Sequence, residues 1–318
     1  MERKKLLRYV LAGIIAVIII AIALYLNFNG AALGIVQGIS EWLPISSKTQ
    51  IMIASSYLLN LNLNIASNFS LVYAFGLFME IGTILAALIY FRKDVVNLFK
   101  YLFKRGNPAD KNLFNYVIIS TIVTGLVGAP LYLVVDSLNG AYNLGIPMLI
   151  LGGVLILDAI LIKIARSKYA VNKDRRTLQN LGIKEYILVG FAQALAALPG
   201  VSRSGATTST LLLLNVDAGD AFRLSFIDMI LATSGAVVLT LVASRHQIAH
   251  AISIITVPGL IISIVVATTI SLFLITFLLN EAKKSRILYI TAALGIIAII
   301  GGILSLMLAT GGAAAALS

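Results

Sequence analysis

Apolar residues fill this chain in blocks about as long as a lipid bilayer is thick, and short clusters of positive charge separate them. Near-continuous apolar runs occupy 6–26, 71–91, 113–134, 146–164, 224–243, 256–280 and 287–309. A helix of about 20 apolar residues crosses the roughly 30 Å hydrocarbon core, so each run predicts one transmembrane helix. Two further apolar stretches, 31–59 and 186–216, differ: each is broken near its middle by a proline with serines just after it. That pattern predicts two short helices joined by a bend instead of one straight span.

Composition agrees with this reading. Of 318 residues, 59% are hydrophobic and 12% charged, and the mean hydropathy is +0.99. A soluble domain carries about twice that charged fraction. The fold class expected is therefore an all-α polytopic membrane protein. The chain has no cysteine, which removes disulfides, thiolate metal sites and thiol nucleophiles. Its two histidines, His246 and His250, stand beside Arg245 in what reads as a short loop. No third ligand lies near enough in sequence to make them a zinc site.

The formal net charge of +11 would suit a nucleic-acid partner if it were pooled on one surface. Instead the basic residues sit between the apolar runs, in four clusters: Arg3 to Arg8; Arg92 to Lys111; Lys163 to Lys184; and Lys283 to Arg286. Such clusters mark cytoplasmic loops. All four share one face only if 31–59 and 186–216 each enter and leave on the same side, the first dipping in from outside and the second from the cytoplasm. The other loops (28–31, 136–145 and 245–255) then face outward with one basic residue, Arg245. The N-terminal run is long for a signal peptide and lacks a small-residue cleavage site, so it reads as a retained helix with a cytoplasmic N-terminus. The C-terminus falls outside.

The two dipping stretches are alike. The first reads GIVQGISEWLPISSKTQ (34–50) and the second GFAQALAALPGVSRSGATTST (190–210). Both follow Gly-x-x-Gln, an apolar stretch, Leu-Pro and paired serines. Downstream, FGLFMEIG places Glu80 two residues after Phe78, and LSFIDMI places Asp228 two residues after Phe226. Each copy comprises one hairpin and three spans, and an odd number of spans inverts one copy relative to the other. The organisation expected is an additional N-terminal transmembrane helix (1–29), a first inverted repeat (30–170), a second (171–309) and a disordered tail (310–318). Such architectures place a binding site near the midplane, where broken helices face a polar cavity.

The residues at the two bends carry the candidate chemistry. Arg203 sits among Ser202, Ser204, Gly205 and Thr207. Guanidinium, hydroxyls and helix-terminal amides together make an oxyanion receptor, most naturally for phosphate; a structural Arg–carboxylate pair is the plainer alternative. Glu41, Ser46, Ser47 and Lys48 form the matching set, with a carboxylate able to act as base toward a hydroxyl. Ser46 also suits a helix N-cap, and Lys48 either neutralises an anionic oxygen or snorkels to the interface. Glu80 lies in an apolar span and would hold a divalent cation with Glu41 or orient Arg203. Asp228 and Asp158 read as helix-packing or counter-charge residues.

These motifs resemble those of the undecaprenyl-diphosphate phosphatases, the bacitracin-resistance family. The family's first motif looks like (E/Q)GxxEFLPxSSxGH and stands here as QGISEWLPISSKTQ (37–50); its second, PGxSRSGAT, is matched in full at 199–207. The likeness covers about 30–309. By resemblance, the chain would be a cell-membrane phosphatase cleaving a polyprenyl diphosphate to the monophosphate on the outer face, which recycles the lipid carrier. Glu41, Ser47 and Arg203 would be catalytic. Gln37, Ser46, Lys48, Gln50, Ser202, Ser204, Gly205 and Thr207 would bind substrate, and Mg²⁺ or Ca²⁺ would assist at Glu41 and Glu80. The partners implied are the polyprenyl diphosphate and membrane lipids. One departure stands out: Gln50, preceded by Thr49, occupies the family's histidine position. A transporter or flippase for polyprenyl phosphate or a small anion is the alternative from another class.

Overall fold

The computed structural model of the chain describes residues 2–55, 69–103, 110–137 and 175–282, with residue 59 and single helical positions between 153 and 168 and at 296, 300 and 307. Apart from those single positions, the expected spans 146–164 and 287–309, together with Asp158 and the tail 310–318, lie outside the described residues. Among the described residues the chain is helical and has no strand, only an isolated parallel bridge between Arg176 and Val216.

The helices are α1 (Glu2–Leu26), α2 (Phe28–Ser40), α3 (Ser47–Ile53), α4 (Phe69–Phe78), α5 (Ile81–Tyr90), α6 (Arg92–Leu102) and α7 (Lys111–Ser137). Beyond residue 175 come α8 (Ile183–Ala194), α9 (Arg203–Leu213), α10 (Ala218–Ala243), α11 (Arg245–Ile255) and α12 (Val257–Ala282). Among the described residues, four stretches are long and apolar enough to cross a membrane: Leu71–Tyr90, Lys111–Val135, Ala218–Ala243 and Val257–Glu281. Leu11–Leu26 adds a shorter apolar helix whose outward side chains, among them Ile14, Val17 and Ile18, are exposed. That face has the chemistry of a lipid contact.

Both proline-broken stretches bend where the sequence predicts. In the first, α2 ends at Ser40 and Pro44 lies in the turn before α3. In the second, α8 runs into a 3-10 turn, Leu195–Ala197, and Pro199–Gly200 reverses the chain before α9. Gly200 has φ 93°, a left-handed conformation that glycine adopts without steric cost. Side chains close the orphan amides at several helix starts: Asn27 accepts from the Gly30 N–H at 2.7 Å, Ser202 from Gly205 at 3.1 Å, and Asp217 from Gly219 at 2.9 Å.

One expectation is refined and one corrected. The span at 71–91 stands as Leu71–Tyr90 but carries a turn at Met79–Glu80, between α4 and α5. There the Glu80 carbonyl accepts from the N–H groups of both Thr83 and Ile84, and from the Thr83 hydroxyl at 2.8 Å. A hydroxyl competing for a helix carbonyl tightens the turn, an effect the hydropathy pattern does not register. Residues 245–255, read as a loop, form α11; its buried face of Ile248, Ala251 and Ile255 packs against α4. The histidines lie exposed on that helix.

Packing is reciprocal. Helix α2 lies along α12, and α8 lies along α7. At Gly34 a Cβ would come within 2.5 Å of the Ser263 carbonyl oxygen and 2.8 Å of the Val266 Cβ; at Gly190 it would come within 2.5 Å of the Ser120 carbonyl oxygen and 2.9 Å of the Val123 Cβ. Glycine lets both helix pairs approach to backbone contact, a device typical of helices in lipid. Two large apolar clusters lie among the described residues, beside smaller ones at Ala23, Ala31 and Val266 and at Ile45. One large cluster is built around Tyr73, Phe75, Tyr132, Ile248 and Ile255, and the other around Trp42, Phe91, Tyr116, Phe222 and Leu278. Near the middle of their spans, Glu80 and Asp228 join a buried polar set that includes Gln37, Glu41, Lys48 and Arg203.

Candidate active site

The site is assembled from the two bends and the break between α4 and α5. Glu41 follows directly on α2, and only 4% of its surface is exposed. Its Oε2 accepts hydrogen bonds from Ser47 Oγ at 2.7 Å and from Gln37 Nε2 at 2.9 Å. Its Oε1 accepts from Arg203 Nη2 at 2.6 Å. Gln37 reaches Glu41 because it lies one helical turn earlier on the same face. Ser47 reaches it because the proline turn folds α3 back toward the end of α2.

Arg203 is the first residue of α9, 8% exposed. Beyond Glu41, its Nη2 also contacts Met229 Sδ at 3.3 Å. Its Nε and Nη1 have no hydrogen-bond partner among the described residues. An arginine whose fork is half engaged by a carboxylate keeps its remaining edge available for an anionic oxygen. Lys48 forms a buried ion pair with Glu80 at 3.3 Å, and both line the same cavity as Arg203. Two cations and two carboxylates thus balance one another in a buried setting, where an isolated charge would be costly.

Ser202 and Ser204 join the two bends: both hydroxyls donate to the Leu43 carbonyl, at 3.3 and 2.9 Å. Ser202 also caps α9 through the Gly205 amide. This lashing fixes Arg203 relative to Glu41. Ser46 precedes α3 with its hydroxyl buried and without a partner among the described residues, so it does not act as a side-chain cap. Thr207 turns away from Glu41: its hydroxyl donates to the Arg203 carbonyl at 2.9 Å and pairs with Ser225 at 2.5 Å. Gln50 is half-buried one turn into α3, with its backbone N–H on the Ser46 carbonyl. It is not one of the groups bonded to Glu41, Glu80 or Arg203.

Lys48, Glu80 and Arg203 border a cavity of about 260 Å³ whose walls come from α4, α7, α8 and α10. Thr121, Thr124, Gln193 and Thr233 also line it, and the sequence reading did not single them out. Gln193 was legible in principle, since it is the second copy's counterpart of Gln37. It donates to Asp228 and Thr124, both at 3.1 Å, and Asp228 also accepts from Ser120 at 2.6 Å. Asp228 thus ties α7, α8 and α10 together through neutral partners, and no ion pair involves it among the described residues. The threonines carry no sequence signal that separates them from other membrane hydroxyls.

For a divalent cation, Glu41 and Glu80 are hard oxygen donors of the right kind. No group of three His, Cys, Asp or Glu residues clusters among the described residues. Further ligands would have to come from substrate oxygens and water, which is how Mg²⁺ is commonly held. Both Glu41 oxygens are engaged by Ser47, Gln37 and Arg203, and Glu80 Oε1 by Lys48, so a cation here would take over contacts that these groups now make.

Comparison with known proteins bears on what this constellation serves. Over 277 residues, covering 87% of this chain and 95% of the relative, the sequence is 50% identical to an undecaprenyl-diphosphatase of Saccharolobus solfataricus. It is 47% identical to one of Sulfurisphaera tokodaii over 277 residues, 87% of this chain and 97% of the relative. It is 37% identical to one of Pyrobaculum aerophilum over 278 residues, again 87% and 97%. Residues 30–303 match the family described as bacitracin resistance protein BacA, so the whole of the site just described falls within the match. The chain belongs to the BacA family.

Proposed function

We propose that this chain is an undecaprenyl-diphosphatase: a membrane hydrolase that cleaves the phosphoric anhydride of a polyprenyl diphosphate and returns the monophosphate carrier. The observation that carries the reading is Glu41 shared between the Ser47 hydroxyl and the Arg203 guanidinium. A base beside a nucleophile and a fixed cation beside both is the minimum that phosphoryl transfer needs.

In this mechanism the terminal phosphate sits on the unpaired edge of Arg203 and against Lys48. Glu41 takes a proton either from Ser47, whose Oγ then attacks the terminal phosphorus, or from a water that Ser47 orients. The new P–O bond forms as the bridging P–O bond breaks, and the polyprenyl monophosphate departs. In the first route a second water later releases phosphate from Ser47. A bound Mg²⁺ or Ca²⁺ at Glu41 and Glu80 would neutralise charge on the diphosphate. Ser46 is the additional hydroxyl near the phosphate. Ser202, Ser204 and Gly205 hold the loop, and Thr207 anchors α9.

The reading extends to topology. Helices α2 and α8, of 13 and 12 residues, are about 20 and 18 Å long, short of a bilayer core. This supports two re-entrant hairpins. The matched contacts of Gly34 with Ser263 and Val266, and of Gly190 with Ser120 and Val123, support two inverted repeats, 30–170 and 171–309, after an additional helix 1–29. Basic residues assign the N-terminus to the cytoplasm and the site to the outer face of the cell membrane. The deciding assay is phosphate release from undecaprenyl diphosphate in detergent, with and without Mg²⁺ or Ca²⁺, beside an Arg203→Ala control. Release that depends on Arg203 upholds the proposal. Tight lipid binding without release turns the assignment to a polyprenyl phosphate transporter.

A further inference from the structure

We infer that Tyr73 is a positioning residue for the reaction: by holding the second bend against α4, it sets Arg203 in register with Ser47 and Lys48. The inference rests on the hydrolase reading above and adds to it a residue that acts through the backbone of the bend.

The turn leading to Arg203 leaves one carbonyl over. Within it, the Leu198 amide donates to the Leu195 carbonyl at 2.9 Å and the Val201 amide to the Leu198 carbonyl at 3.3 Å. Pro199 has no N–H to offer. The Ala197 carbonyl accepts instead from the Tyr73 hydroxyl, 124 positions away in the chain. Tyr73 is fully buried, and its ring stacks on Tyr132 with 5.9 Å between centroids and 27° between planes. A tyrosine has two side-chain torsions, and with the ring packed its hydroxyl is a stiff point of attachment.

The first bend is held in the same way from the opposite side. Its Leu43 carbonyl accepts from Ser202 and Ser204, the residues that flank Arg203. Each bend thus gives one backbone carbonyl to hydroxyls from the other half of the chain, and the segment from Ala197 to Arg203 is fixed at both ends. Tyr73, Gly76 and Glu80 stand at i, i+3 and i+7, the spacing of one helix face. Along that face a Cβ at Gly76 would come within 3.2 Å of the Lys48 Cα, and Glu80, in the turn after α4, pairs with Lys48 at 3.3 Å. One side of α4 therefore abuts the first bend at Lys48 and holds the second at Ala197.

A tyrosine buried for packing alone needs only some acceptor for its hydroxyl. The acceptor taken here lies in the turn whose conformation decides where the Arg203 guanidinium points. Apolar contact is non-directional, whereas a hydrogen bond weakens steeply as its angle departs from linear. Phosphoryl transfer needs that directional hold, because its catalysis rests on positioning the nucleophile, the phosphorus and the cation.

Tyr73→Phe removes the hydroxyl and keeps the ring on Tyr132. Its kcat on undecaprenyl diphosphate is expected to fall about tenfold or more, with KM within about threefold of wild type, since only alignment with Ser47 is lost. Hydrogen–deuterium exchange of lipid-free protein reads the bend itself: amides in 195–202 should exchange about fivefold faster or more, while those of α10 do not change. Tyr132→Phe is the control, because it removes another buried hydroxyl, bonded to Ser244 at 2.6 Å, from the same ring stack. It is expected to leave both kcat and exchange at 195–202 as in wild type. Unchanged kcat in Tyr73→Phe overturns the inference. A fall in kcat without faster exchange at the bend, or an equal fall with Tyr132→Phe, overturns it as well. If wild-type protein releases no phosphate, the hydrolase reading fails, and exchange at the bend still decides whether Tyr73 holds it.

Discussion

Glu41 and Arg203 lie 162 positions apart in the chain and meet at 2.6 Å, with the Ser47 hydroxyl on the other oxygen of the same carboxylate. One acidic group therefore sets both the basicity near the nucleophile and the position of the phosphate-binding cation. Glu41→Gln keeps the shape and removes the charge. Phosphate release is expected to fall by about 10²–10⁴-fold, with binding of undecaprenyl monophosphate retained. Comparable release by the variant would remove Glu41 from the reaction.

Arg203→Lys tests the shared guanidinium. A single ammonium cannot hold Glu41 on one edge and present a second, coplanar edge to phosphate. Lysine is therefore expected to rescue little of the loss seen with alanine. Substantial rescue, read as kcat/KM on undecaprenyl diphosphate, would reduce Arg203 to a point charge.

The pair of Lys48 and Glu80 is buried on both sides, with side-chain exposures of 6% and 4%. Removing one partner strands the other, at a cost of about 3–5 kcal/mol, whereas replacing both with apolar groups is much milder. Lys48→Met and Glu80→Gln should each lower the detergent-solubilised Tm, and Lys48→Met combined with Glu80→Leu should recover most of it. The double variant should still lack activity if these groups serve the diphosphate. Full activity in the double variant would make the pair purely structural.

Gln50 occupies the position of the family histidine, yet it bonds to neither Glu41 nor Arg203. Gln50→Ala is expected to keep phosphate release within about threefold of wild type, since a residue with no hydrogen bond to Glu41, Ser47 or Arg203 among the described residues has little transition-state interaction to lose. A collapse comparable to that of Glu41→Gln would assign it a direct role.

The proposed divalent cation would have two protein carboxylates, Glu41 and Glu80, and no third among the described residues. With substrate oxygens completing the coordination, chelation by EDTA should suppress release, and Mg²⁺ or Ca²⁺ should restore it without changing the Tm of lipid-free protein. A Tm that drops on chelation would indicate a structural metal instead.

Gly34 and Gly190 make equivalent approaches to Ser263 and Ser120. Gly34→Val and Gly190→Val would each force a side chain against a backbone carbonyl, which cannot move without separating the helices. Both should lose folded yield in fluorescence-detected size exclusion, while Gly125→Ala, with no described residue within 4 Å of its Cβ, should not.

Much of the fold was legible because the bilayer imposes a simple length rule. The runs at 113–134, 224–243 and 256–280 became α7, α10 and α12 within a few residues at most ends. The 71–91 run hid its break at Glu80 because Thr83, which tightens that turn through the Glu80 carbonyl, is apolar enough to pass in a hydropathy average. The amphipathic α11 was missed because its short buried face alternates with histidine and arginine.

The sequence alone determined that the chain belongs in a membrane, that two proline-broken segments resemble each other, and that Glu41, Ser47, Lys48 and Arg203 carry the candidate chemistry. These follow from local causes: apolar length, proline geometry and the types of side chain present. Only the tertiary structure decided which charges pair. Glu41 meets Arg203 and Lys48 meets Glu80, because helix packing, and not sequence distance, brings the bends together. It also decided that Thr207 faces Ser225, that Gln193 lines the cavity, and that Gly34 and Gly190 sit at backbone contacts while Gly125 has no described residue within 4 Å of its Cβ. A glycine's role depends on what stands opposite it, and that is a property of the packed helices alone.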